Sequence, residues 1–127
     1  MAALDDALAL DATGQAALVR RGELTASELV EAAIAAAEAR NPAINAIIHP
    51  RFDAARAEAA AAATPPPGSH PGPFAGVPMV VKDLQCAIGG EPHHMGTRAL
   101  RNLGYRAPHD SNLYRRFRRA GFVAIGR

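Results

Sequence analysis

The sequence predicts an α/β chain in which N-terminal helices are followed by a βαβ unit. Three observations carry that prediction. Thr25-Ala-Ser-Glu28 forms a capping box ahead of an alanine-rich run with helical spacing. Gly76-Val-Pro-Met-Val-Val-Lys82-Asp83 opens on a breaker pair and continues as a short apolar, β-branched stretch that reads as a buried strand. Phe122-Val-Ala-Ile125 reads as a second strand, separated from the first by a connection and a helix. Strand, connection, helix and strand in that order predict a parallel pair.

Composition sets the frame. The 127 residues suffice for one domain and fall short of two. At 49% hydrophobic and 20% charged, the chain belongs to the globular class. Much of the apolar share is alanine, so the core buries little area per residue and the expected stability is modest. The lone Cys86 excludes an internal disulfide and fits a reducing compartment. Met1-Ala-Ala-Leu-Asp-Asp6 is acidic where a secretory signal carries base, and no apolar run is long enough to span a bilayer, so a cytoplasmic location is expected. The net charge of +2 hides an asymmetry: up to Ala63 acids outnumber arginines nine to five, and beyond it bases outnumber acids nine to three. The two parts either attract each other or the second has an acidic partner.

In chain order, Asp11-Ala-Thr13 opens a short helix through Leu18 and Val19, stopped by Gly22. The helix begun at Thr25 runs to about Arg40, with Val30, Ala33, Ile34 and Ala37 on its core stripe, and Asn41-Pro42 ends it. Ala46-Ile47-Ile48 reads as a short extended piece. A second helix is expected from Arg51 to about Ala63, with Phe52, Ala55 and Ala59 on one side. Thr64-Pro-Pro-Pro-Gly-Ser-His-Pro-Gly-Pro73 cannot be regular, because its prolines lack donors and fix φ. The expected organisation is a single domain with a helical layer over 1–63, a Pro/Gly linker over 64–75 and the βαβ segment over 76–127; that the domain is partial and 76–127 the start of a catalytic core is what the family resemblance given below implies.

Between Gln85 and His109 lies a long connection with Gly89-Gly90 and Gly96, and aperiodic loops of this length are usually functional. Its His93-His94 pair invites a metal, but adjacent side chains diverge and no further ligand stands at ligand spacing, so no metal and no cofactor are expected. Asp110 is the expected N-cap of the next helix, with Leu113, Phe117 and Ala120 on its apolar stripe and Arg115, Arg116, Arg118 and Arg119 outside it. Gly121 closes that helix. The arginines read as a solvated face; no recognised nucleic-acid motif accompanies them.

Lys82 is the candidate catalytic residue. An ammonium at the tip of an apolar strand is costly to bury unless it is paired or gives up its proton, and desolvation is how a lysine becomes a base. The local pattern alone favours a plainer reading, in which Lys82 emerges into solvent beside a carboxylate.

Taken together, these stretches resemble the amidase signature family. Gly76 to Asp83 is similar to that family's strand bearing the catalytic lysine, and Asp110 with Ala120-Gly-Phe-Val-Ala-Ile-Gly126 is similar to its next helix and strand. Gly22-Glu-Leu-Thr25 and Arg40-Asn-Pro-Ala-Ile-Asn-Ala46 are similar to its leading helices. The wording of Pro73-Phe-Ala-Gly-Val-Pro78 and Gly104-Tyr-Arg-Ala-Pro-His-Asp110 resembles most the branch that includes 6-aminohexanoate cyclic dimer hydrolase. The glutamyl-tRNA amidotransferase A subunit fits less well, since Leu84 and His94-Met-Gly-Thr97 depart from its pattern.

The resemblance implies a mixed-sheet amidase signature fold, incomplete in this chain, and a Ser–Ser–Lys hydrolase acting on a small amide substrate. It makes Lys82 the base. Ser27, Ser69 and Ser111 match neither of the family's serine positions, which fall beyond Arg127. Arg127 itself stands where many relatives have lysine, which reads as a minor change. The chain is thus expected to be the N-terminal part of an amidase, inactive in isolation and prone to self-association through open strand edges. Two alternatives stand beside it: a non-catalytic interaction domain binding an acidic partner through the Arg-rich helix 110–120, or an A-subunit-like part of a glutamyl-tRNA amidotransferase.

Overall fold

The longest element, α3 (Ala26–Ile44), shows how local chemistry sets this architecture. The Thr25 hydroxyl accepts from the Glu28 amide at 3.1 Å, and the Glu28 carboxylate accepts from the Thr25 amide at 2.8 Å, so two orphan donors are satisfied reciprocally. Leu29, Val30 and Ile34 then fall on one fully buried stripe. A computed structural model describes residues 2–127; Met1, part of the acidic start, lies outside the described residues. Before α3 come α1 (Ala2–Leu8), which the sequence pattern does not predict, and α2 (Ala12–Arg20), capped by the Asp11 carboxylate on the Gly14 amide.

The expected end of α3 at Arg40 needs correction. The helix continues through Pro42 to Ile44 and stops at Asn45, whose left-handed backbone donates to the Asn41 carbonyl at 2.7 Å. Pro42 sits in the last turn, where the lost amide costs one bond and few residues follow. Asn41 grips the departing chain instead: its side chain donates to the Ile47 carbonyl at 2.9 Å and accepts from the Ile47 amide at 2.8 Å.

Helix α4 (Phe52–Ala62) lies against α3 and is tied to it by Arg56 and Glu31. Its fully buried Ala55 and Ala59 join Val30, Ile34, Val123 and Ile125 in one cluster, so the helical layer and the second strand share a core. The 64–73 stretch is irregular, as its prolines require. Phe74 ends it by stacking on Phe122 at 4.6 Å, and its amide donates to the Ala120 carbonyl. Gly76 (φ +81°) must be glycine for two reasons: its left-handed backbone, and an added Cβ that would stand 2.4 Å from Ala26 Cβ.

Strands β1 (Pro78–Val80) and β2 (Val123–Gly126) pair in parallel, as the βαβ order predicts, with Pro78 opposite Val123 and Met79 opposite Ala124. On its other side β2 meets residues 48–51: the His49 and Arg127 backbones exchange hydrogen bonds at 3.1 and 3.0 Å, and the Arg51 amide donates to the Ile125 carbonyl. The extended piece expected at 46–48 is therefore an antiparallel partner of β2, displaced along the chain.

The connection between the strands is more ordered than its composition indicates. Short α5 (Arg98–Asn102) interrupts it, capped by Thr97, and the segments around Pro92 and Arg106 form an antiparallel base beneath it. Helix α6 (Asn112–Ala120) follows and ends at left-handed Gly121, as expected. Its cap is Ser111, whose hydroxyl accepts from the Tyr114 amide, and not Asp110. Asp110 instead accepts from the Gly89 amide at 2.7 Å and pairs with Arg118, pinning the loop to the helix. The apolar stripe is also turned by one residue: Tyr114 is buried and Leu113 is 45% exposed. Tyr114 packs with Val81, Cys86, Ile88 and Ala124 in a second cluster, and the Arg51 guanidinium lies 6.0 Å from its ring centroid. Arg115, Arg116, Arg118 and Arg119 are all exposed.

Candidate active site

Ligand sites in open parallel sheets form beyond the carboxyl ends of the strands, and here that end is where the chain becomes polar. β1 stops at Val80, so Lys82 lies just past the strand instead of at its tip. Val81 is buried, Lys82 is exposed, and the Asp83 side chain is only 7% exposed. Lys82 makes no hydrogen bond or ion pair among the described residues, which corrects the expectation of an amine desolvated inside the sheet. The stretch beside it is apolar all the same. Met79, Val81, Leu84, Cys86, Leu113 and Phe117 line, with Lys82, a concavity of about 310 Å³. Burial pushes the Cys86 thiol above its ordinary value, so it is a protonated wall of that concavity and a poor nucleophile.

Behind Lys82 stands a buried polar cluster. The Asp83 carboxylate accepts from the His94 amide at 3.3 and 3.2 Å. His93 Nδ1 lies 3.3 Å from Asp83, His49 Nε2 lies 3.8 Å, and Arg127 Nε lies 3.7 Å. The Arg127 side chain is fully buried; Nη1 donates to the Pro92 carbonyl at 2.8 Å and Nη2 to the Cys86 carbonyl at 2.9 Å. Nη2 also lies 3.1 Å from His93 Nδ1. Burial holds His49 below its ordinary value, outweighing the opposite pull of Asp83. His94 packs edge-on against His49 at 4.7 Å. No cluster of three or more His, Cys, Asp or Glu side chains suited to a metal occurs among the described residues.

A sequence profile described as Amidase matches residues 28–127, which takes in the Lys82 strand, the polar cluster and β2. The chain belongs to the amidase family. It is 45% identical to the 6-aminohexanoate-cyclic-dimer hydrolase of Paenarthrobacter ureafaciens over 117 residues, 92% of this chain and 22% of that protein. It is 38% identical to the A subunit of the glutamyl-tRNA(Gln) amidotransferase of Salinispora arenicola over 128 residues, 98% of this chain and 25% of that protein. The solved structure of 6-aminohexanoate cyclic dimer hydrolase superposes with a TM-score of 0.82 at 44% identity, over 93% of this chain and 23% of the other. The chain therefore spans about a quarter of the length of these amidase relatives.

The ordering of the relatives agrees with the sequence reading, which sets the cyclic dimer hydrolase branch ahead of the amidotransferase. None of the chain's serines is arranged as a nucleophile beside Lys82. Ser111 caps α6, Ser69 donates to the Pro66 carbonyl in the linker, and Ser27 lies exposed in the first turn of α3. Two residues of this candidate site carry more weight than the sequence assigns them. There, Asp83 is only the neighbour of Lys82, and Arg127 only a minor change. An arginine directly after an apolar buried strand is the available signal, since such a charge needs several acceptors at once. No helix among the described residues is long and apolar enough to cross a membrane.

Proposed function

We propose that this chain is the N-terminal part of an amidase that cleaves carbon–nitrogen amide bonds of a small molecule, with Lys82 as the base of a Ser–Ser–Lys triad. The observation that carries the reading is the family match across residues 28–127, together with a lysine just past the carboxyl end of a parallel strand and beside an apolar concavity. Residues 76–127 form the start of the catalytic core in this reading, 64–75 the linker and 1–63 the helical layer.

A serine hydroxyl is a weak nucleophile until a base takes its proton. Lys82 takes that proton through a bridging serine, and the second serine's Oγ attacks the amide carbonyl. The C–N bond breaks as the leaving amine receives the proton, and water then hydrolyses the acyl ester. For this the amine must be neutral, and a lysine is made neutral by a desolvated site. Both serines, the oxyanion donors and the cover over Lys82 belong to further sequence, so residues 1–127 alone are expected to be inactive. Exposed Val80, Leu84 and Leu113 support self-association of the isolated chain.

The test is a fusion of residues 1–127 to the segment that follows the matched region in the Paenarthrobacter ureafaciens hydrolase, assayed on the 6-aminohexanoate cyclic dimer and on a simple aryl amide. Turnover is expected, with Lys82→Ala lowering kcat/KM by roughly 10²–10⁴-fold. A fusion whose turnover ignores Lys82→Ala would refute the reading.

A further inference from the structure

We infer that Asp83 and Arg127 act as a positioning pair for Lys82, fixing the direction in which the peptide at the end of β1 presents its amine; this rests on Lys82 being the base. Past β1 the chain enters a turn that begins at Asp83, one residue after Lys82. Val81 is buried, Lys82 exposed and the Asp83 carboxylate buried, so the anchor at the turn sets the direction of the amine one residue before it. Turning Lys82 away would drag a charged group out of its partners.

Those partners come from three separate parts of the chain. The His94 amide donates to both Asp83 oxygens, His93 and His49 face them, and Arg127 arrives from the end of β2. Arg127 also donates to the Cys86 and Pro92 carbonyls, so it ties both flanks of the loop that Asp83 enters. The two buried side-chain nitrogens without a hydrogen-bond partner among the described residues are His49 Nε2 and Arg127 Nε. Both face the Asp83 carboxylate, at 3.8 and 3.7 Å. A buried guanidinium separated from its carboxylate is costly, and that cost holds the two strand ends in register.

The pair is tested in the fusion described above and in the 127-residue chain. In the fusion, Asp83→Ala and Arg127→Met are expected to lower kcat by roughly 10²-fold, the penalty of a misplaced catalytic group. KM should stay within about two-fold, since no substrate contact is removed. Arg127→Lys, which keeps the charge, should recover most of the loss. In the 127-residue chain, Asp83→Ala should remove exchange protection at the His94 amide and leave the α3 and α4 amides protected. Unchanged kcat in Asp83→Ala, alongside loss of activity in Lys82→Ala, would overturn the inference and spare the proposed function. Loss of protection throughout α3 and α4 would mark a merely structural role and overturn it as well. Turnover that survives Lys82→Ala would remove both.

Discussion

The face of β2 under α3 and α4 and the end of the sheet beyond Val80 are built by opposite means. The first is apolar and alanine-lined, with Val30, Ile34, Ala55 and Ala59 fully buried against Val123 and Ile125. The second is held by directional polar contacts around Asp83 and Arg127. Apolar packing tolerates small shifts, whereas hydrogen bonds to a buried charge weaken steeply with distance and angle. The stable layer therefore lies apart from the residues whose geometry the chemistry would use, and the strand end is kept in place by contacts that specify direction. Two buried arginines show the same contrast. Arg51 meets two carboxylates, Glu91 at 2.8 Å and Glu58 at 3.0 Å, and holds α4 and the loop to β2. Arg127 meets backbone carbonyls and a histidine first, and its carboxylate only at 3.7 Å.

If the two regions are independent in this way, changes in one should leave the other's signature intact. The largest effect is expected from Ile34→Ala, which opens a cavity at a fully buried position and should cost roughly 2–5 kcal/mol, read as a fall in the urea midpoint. Exchange protection at the His94 amide should fall only through global unfolding; selective loss there would break the comparison. Thr25→Ala removes one half of the capping box and should cost about 1 kcal/mol. Its effect should be seen in thermal midpoint and not in the reactivity of Lys82 toward an amine reagent.

The smallest effect concerns pH and sits wholly in the polar region. His49 is held below its ordinary value in the fold, with burial as the main cause, so below about pH 6.5 the unfolded chain binds more protons than the folded one. Stability should be full above that value and decline as pH falls through the folded value. His49→Gln should flatten the decline, measured by urea unfolding between about pH 5 and 7. An unchanged slope would remove His49 from the account. Asp110 follows the same sign at more acid pH. Burial pushes its carboxyl up, but the Gly89 amide and Arg118 outweigh this and hold it below its ordinary value.

What the sequence determined by itself lay within one or two turns of chain. The capping box at Thr25, the alanine faces of α4 and the left-handed stop at Gly121 depend on neighbours a few residues away, and each stands where the residues place it. Even locally the pattern misplaces the cap of α6 by one residue: it points to Asp110, but the loop at Gly89 takes Asp110 and Ser111 caps the helix. The same applies to Leu113 and Tyr114, where packing against Cys86 and Ile88 chose the tyrosine.

Tertiary structure alone decided the candidate site. Arg127 reaches carbonyls and a ring 34 to 41 residues away, and Asp83 draws partners from the 49, 93–94 and 127 positions. No local pattern encodes such meetings, because the cost of burying a charge depends on which distant groups surround it. The environment of Lys82 obeys the same rule. Its place near the end of a strand was legible, and the concavity beside it is set by what the rest of the fold puts there.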